Sequence, residues 1–181
     1  MQWSKLKAKL ESFLCDKLKG RIQIHATVYR KFHDSPSRVW ITLDKKIILG
    51  ASDATYAVEH EKLYHQIKKE RMLNGIVYNP DWNVMFNSED RQELLKASEE
   101  AEKILIEHNI FESYHLYELF MNYSSLSIEE ARKSENIFVQ AFSLFDRRLG
   151  KRRLKDIHYS QGTHPLIIEF YKIRCDIEGL H

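Results

Sequence analysis

The chain has 181 residues, long enough for one domain that buries roughly two-thirds of its unfolded surface. Its 43% hydrophobic content supports a core and its 30% charge supports solubility, while three prolines and six glycines are too few for a disordered chain or a turn-rich β-sandwich. A net charge of +2 excludes a global field driving the protein onto nucleic acid or a membrane.

The N-terminal M-Q-W-S-K-L-K-A-K-L has no apolar region or small-residue cleavage site, so no secretory signal is expected. Ser4 predicts a capped helix over residues 4–19, stopped by Gly20, with Leu6, Leu10 and Phe13 on one face. Strict alternation over residues 21–30 predicts a strand. Ile22, Ile24, Ala26 and Val28 take one face; Arg21, Gln23, His25, Thr27 and Tyr29 take the other. After the turn-rich K-F-H-D-S-P-S, residues 38–43 alternate again, Val39, Ile41 and Leu43 against Arg38, Trp40 and Thr42. D-K-K then turns into I-I-L-G, giving a three-stranded antiparallel meander over residues 21–49.

From residue 52 the pattern turns helical. Ser52 or Asp53 starts a helix to about Met72, and Pro80 keeps the following connection from being helical, with some strand character at residues 76–78. Ser88 with Glu89 and Asp90 opens a helix to about His108. Ser127 and Glu130 match a capping box. A helix from about Glu135 runs along Phe138, Phe142, Phe145 and Leu149; Leu154 and Ile157 fall off that stripe, so Gly150 is expected as its left-handed stop, with a new turn from Lys151. T-H-P opens a last helix that ends at Gly179, its stripe Leu166, Phe170, Ile173 and Ile177. The expected fold is therefore α+β: a small meander near the N-terminus packed against several helices, in a single domain over 1–181. The first and last helices are expected to cover its apolar face.

No motif makes a positive case for a reaction, so the reading leans against an enzyme and expects no cofactor. H-E-K-L-Y-H at residues 60–65 misses the zinc-protease spacing by one residue. Histidines five apart on a helix point about 140° from each other and cannot share an ion, so His60 reads as a hydrogen-bonded core histidine and no metal is expected. There is no glycine-rich phosphate loop and no G-x-S-x-G. Cys15 and Cys175, in opposite end segments, read as reduced thiols of a cytoplasmic protein.

Two surfaces remain. His25, Tyr29, Arg38 and Trp40 share the polar face of the hairpin and could stack a base or seat an anionic ligand. Charge is also lopsided: residues 89–107 carry seven acids against three bases, and residues 146–155 six bases against one acid. Arg147 and Arg148 are explained by a helix C-terminus, where cations complement the dipole. Lys151, Arg152, Arg153 and Lys155 open the next helix, where they do not. They are candidates to pair with the acidic helix 89–107, within the fold or across a homodimer, or to meet a protein partner, phosphate or nucleic acid.

W-S-K-L…E-S-F-L-C, G-R-I-x-x-H-A-T-x-Y-R, R-x-W-I-T-x-D, D-R-R-L-G-K-R-R-L and H-P-L…R-C-D-I-E-G resemble a family of uncharacterised small bacterial proteins, over residues 1–50 and 134–179. The resemblance implies a bacterial cytoplasmic origin and no activity, substrate or catalytic residue. The leading expectation is a non-enzymatic cytoplasmic interaction module with no membrane span. Nucleic-acid or anion binding through residues 151–155 and a small-ligand or enzymatic role for the sheet face are the alternatives.

Overall fold

The computed structural model describes residues 3–28 and 36–180. They form two compact units, one comprising residues up to Ser52 and from Glu112 onward, the other Asp53–Phe111.

The first unit contains the expected meander. Strands β1 (Ile22–Val28), β2 (Pro36–Leu43) and β3 (Lys46–Ser52) pair antiparallel in that order. The β2–β3 hairpin closes on Asp44 and Lys45, both at positive φ (48° and 70°), the two-residue geometry that matches the strands' twist. Asp44 is held there by Arg21, whose Nε donates to Oδ1 at 3.0 Å and Nη2 to Oδ2 at 2.5 Å. A bulge at Ile48 shifts the register so that Thr42 faces Ile47. The apolar face buries Ile22, Ile24, Val39, Ile41, Leu49 and Ala51. Helix α1 (Trp3–Glu11) packs on β1, and Glu11 accepts a hydrogen bond from the Ile24 amide at 3.3 Å.

The first helix and the phenylalanine helix are both shorter than their periodicity predicts, for one reason. The α1 helix stops at Glu11 rather than Lys19 because residues 13–15 leave it to pair with residues 145–147. The Cys15 amide donates to Phe145 O at 2.9 Å and the Arg147 amide to Phe13 O at 2.7 Å. Leu14, Cys15 and Leu18 are thereby buried, and Gly20 (φ 77°) turns the chain into β1. The same pairing ends the phenylalanine helix at Ser143. Gly150 is not its left-handed stop: it is extended (φ −74°, ψ 159°) and caps the start of the next helix, Lys151–Lys155.

The second unit is a helical hairpin. Helix α2 (Asp53–Glu70) packs against α4 (Glu89–Glu107), with the short α3 (Trp82–Phe86) between them in sequence. Ala97 and Ala101 leave room for the helices to approach, and Ile67, Leu63, Tyr64 and Ile104 fill the contact. Ser88 caps α4 as expected. Residues 73–80 form neither helix nor strand, so the expected strand character at 76–78 is not seen.

The remaining helices return to the first unit: α5 (Tyr117–Asn122), α6 (Ile128–Arg132), α7 (Ile137–Ser143), α8 (Lys151–Lys155) and α9 (Pro165–Glu178). Both halves of the predicted capping box at Ser127 and Glu130 form, at 3.2 and 2.7 Å. Helix α9 ends at Gly179 (φ 70°) as predicted, but it packs against α7.

Candidate functional site

The hairpin alternation aims His25 and Trp40 at the same face, and register places them directly opposite. Their rings stack at 5.1 Å and 12°, and the Arg38 guanidinium lies over the indole at 5.0 Å. The His25 Nε2 is 3.2 Å from the Thr42 hydroxyl. Arg38, Trp40 and His25 therefore form one ladder whose π-faces partly cover each other. Tyr29, the fourth residue expected on this face, lies outside the described residues.

The basic stretch separates into committed and free cations. Asp146 is fully buried and accepts from the Tyr123 hydroxyl at 2.6 Å, the Arg148 amide at 2.8 Å and Arg148 Nη2 at 2.7 Å. Arg148 also donates to Leu126 O at 2.7 Å and covers the Phe13 ring at 4.5 Å. The expectation that a helix dipole accounts for this arginine is thus corrected: residue 148 is past the end of α7 and neutralises a buried carboxylate. Burial, then the hydrogen bond to Asp146 and its charge, push the Tyr123 phenol far above its ordinary range.

Lys151 meets Glu178, its Nζ 3.1 Å from Oε2 and 3.2 Å from the backbone oxygen. Lys17 takes the same carboxylate at 3.4 Å and Ile177 O at 3.0 Å, so two lysines satisfy the C-terminal carbonyls of α9. Arg174, buried beside them, reaches Glu178 at 3.3 Å and donates to Phe145 O and Leu149 O, carbonyls of the irregular turn after α7. Burial pushes the Glu178 carboxyl up, but Lys151, Arg174 and Lys17 outweigh it and hold the group below the usual glutamate value. Arg153 pairs with Glu129 at 2.7 Å and donates to Arg148 O. The pairing partners of this segment are Glu178 and Glu129, where the acids of 89–107 were one expectation. Arg152 and Lys155 are exposed and carry no partner among the described residues.

A feature the motifs did not signal lies next to α8. A cleft of 560 Å³ opens between the end of α6, one side of α7 and the segment 156–163. Leu144 and Ile157 are buried at its base. Arg132, Gln140, Asp156, His158, Tyr159 and Thr163 supply its polar lining. Tyr159 packs edge-on against Tyr171 at 5.2 Å, and burial pushes its phenol up to about 12, with the nearby Arg132 charge opposing the shift.

In the second unit His60 is a hydrogen-bonded histidine, as expected, its Nε2 3.1 Å from Ser98 O. His65 instead faces Glu61 at 2.7 Å. Among the described residues no group of His, Cys, Asp and Glu could hold a metal ion, and no helix is long and apolar enough to cross a membrane. The connection around α3 is apolar and open: Val77 is 74% exposed, Tyr78 81% and Trp82 68%.

Over residues 2–175 the sequence matches the SF0329 protein family. The chain belongs to that family. No curated protein and no solved structure matches it. The family match is continuous through the middle of the chain, where the sequence resemblance reached only residues 1–50 and 134–179, so it takes in the exposed α3 region and the cleft as well as the sheet face. The family name carries no activity, which agrees with the uncharacterised family expected from the terminal motifs. Glu178, the hub of the lysine pairs, lies just past the matched range.

Sequence reasoning missed Arg174 and Glu178 because charged residues were assigned to the wet face. A signal was present: Leu166, Phe170, Arg174 and Glu178 form a strict i, i+4 row on one helix face.

Proposed function

We propose that the protein is a non-enzymatic interaction module of a bacterial cytoplasm that docks a partner protein through the α3 region of its second unit. The observation that supports this reading is the exposure of Val77, Tyr78 and Trp82, with Ile76, Val84 and Phe86 also open to solvent. Soluble surfaces seldom leave so many large apolar side chains together without use, and exposed Tyr and Trp are the residue types that anchor interfaces. Helix α4 of the same unit is locally acidic, with seven acids against three bases. The partner surface that fits is therefore an apolar pocket with a basic rim.

Nucleic-acid binding through the basic segment is the weaker reading. Lys151 and Arg153 are committed to Glu178 and Glu129, leaving Arg152 and Lys155. Two phosphate contacts give a salt slope of only about −2, far below that of a dedicated nucleic-acid protein. The sheet face is likewise less available for stacking a base, because His25 and Arg38 already cover Trp40.

The test compares immobilised protein with a Tyr78→Ser/Trp82→Ser variant at equal loading in lysate. The expected result is a discrete protein retained by the former and lost from the variant, with capture weakening as salt rises. Equal capture by both, or none above background, refutes the reading. Light scattering on the purified chain separates a foreign partner from a second copy.

A further inference from the structure

The cleft beside α8 has a chemistry distinct from the α3 surface. Arg132 makes one long ion pair, 3.6 Å to Glu129, and Glu129 shares its charge with Arg153 at 2.7 Å. Its guanidinium is therefore only loosely neutralised, and Arg132 lines the cleft. The Gln140 amide, His158 imidazole, Tyr159 hydroxyl and Thr163 hydroxyl have no protein hydrogen-bond partner among the described residues, although all four residues line the same opening. The contrast with the neighbouring Ser143, whose hydroxyl is taken by Gln140 O at 2.6 Å, is direct. Four uncommitted hydrogen-bonding groups beside an arginine, above an apolar base of Leu144 and Ile157, suit a small anion: N–H and O–H groups free to turn toward it in a space of ligand size. Asp156 contributes the one uncommitted carboxylate, which suits a hydroxyl or amine on the same ligand and disfavours a bare polyanion.

We infer that this cleft is a binding site for a small organic oxyanion bearing a hydroxyl or amine, its charged end on Arg132 and its body against Gln140, Tyr159 and Thr163. Tyr159 stays protonated through the physiological range, so it can donate to the anion throughout. Arg132 is planar and forked, and it serves carboxylate and phosphate alike. The shared chemistry is the oxyanion, and the probes separate the two sources.

The experiment is an amide-resolved NMR titration of the full chain with glycerol 3-phosphate, citrate and, as the uncharged control, glycerol. At least one anion should give saturable shifts centred on residues 132, 140 and 156–163, with glycerol giving none. Arg132→Ala should weaken that binding tenfold or more, and Tyr159→Phe should weaken it by a smaller factor while keeping the ring. Arg152→Ala, on the adjacent helix but outside the cleft, should leave it unchanged. Failure of both anions to saturate overturns the inference. So does equal binding in a folded Arg132→Ala chain, or an equal loss from Arg152→Ala, which would mark diffuse attraction to the basic segment. None of these readouts involves Tyr78 or Trp82, so the result stands apart from the partner-docking test.

Discussion

Asp146→Asn removes one charge and almost no volume from the buried junction between the two ends of the first unit. The carboxylate accepts from Tyr123, from the Arg148 amide and from the Arg148 guanidinium. An asparagine offers one acceptor oxygen in place of two. If that oxygen keeps the Arg148 amide, the new NH₂ points at the Tyr123 hydroxyl and the guanidinium. If it turns over, the NH₂ meets the amide instead. Either orientation sets donor against donor in a site where Tyr123 and residue 146 have no access to water. Breaking a fully buried pair costs ~3–5 kcal/mol. Because the Arg148 side chain keeps 29% exposure, part of its charge regains water, and the expected loss is about 3 kcal/mol. The assay is urea unfolding in a Trp82→Phe background, in which the remaining tryptophans, Trp3 and Trp40, both report the first unit. With a slope of about 2 kcal/mol/M, the midpoint should fall by roughly 1.5 M. An Asp146→Asn/Arg148→Met chain should recover part of the loss, since it removes the uncompensated cation. A drop of less than about 1 kcal/mol for the single variant would refute the claim that this carboxylate joins the two segments.

Two further outcomes follow from the same unit. Glu178→Gln should destabilise by about 2 kcal/mol at pH 7 by depriving Arg174 of its buried counter-charge. The folded-state pKa of Glu178 is lowered, so the stabilisation is present above the unfolded value near 4.3 and is lost as pH falls through the folded value; the gap to wild type should narrow by pH 3, and an equal gap at pH 3 and pH 7 contradicts the assignment. Ser127→Ala should lower Tm by about 3 °C while Ser127→Asp retains the cap, a pattern calorimetry reads directly; identical melting of both variants would show that the cap does not stabilise α6.

The parts of this molecule legible in the sequence are those governed by neighbours along the chain. Alternation at residues 22–28 and 38–43 gave the strands and their facing, with His25 and Trp40 on one side, because side chains on a strand repeat every two residues; the register that sets those two opposite each other came from the fold. Ser88, Ser127 and Gly179 marked helix ends through their own side-chain or φ requirements, whereas Gly20, expected to stop the first helix, instead turns the chain into β1. The exposed α3 segment was legible only as a connection. Its exposure depends on what packs over it, which local pattern does not encode.

What the tertiary structure decided turns on contacts between distant segments. Residues 13–15 and 145–147 both belong to runs with good helical periodicity, and each leaves its helix to exchange backbone hydrogen bonds with the other. The resulting turn presents carbonyls that need buried donors, which is why Arg174 sits inside and Glu178 follows it. The chain by itself determined where cations are concentrated. Only the fold decided that Arg148, Lys151 and Arg153 face carboxylates while Arg152 and Lys155 face water, because ion pairing depends on distance in space and the acids concerned lie on other helices or past the end of α7.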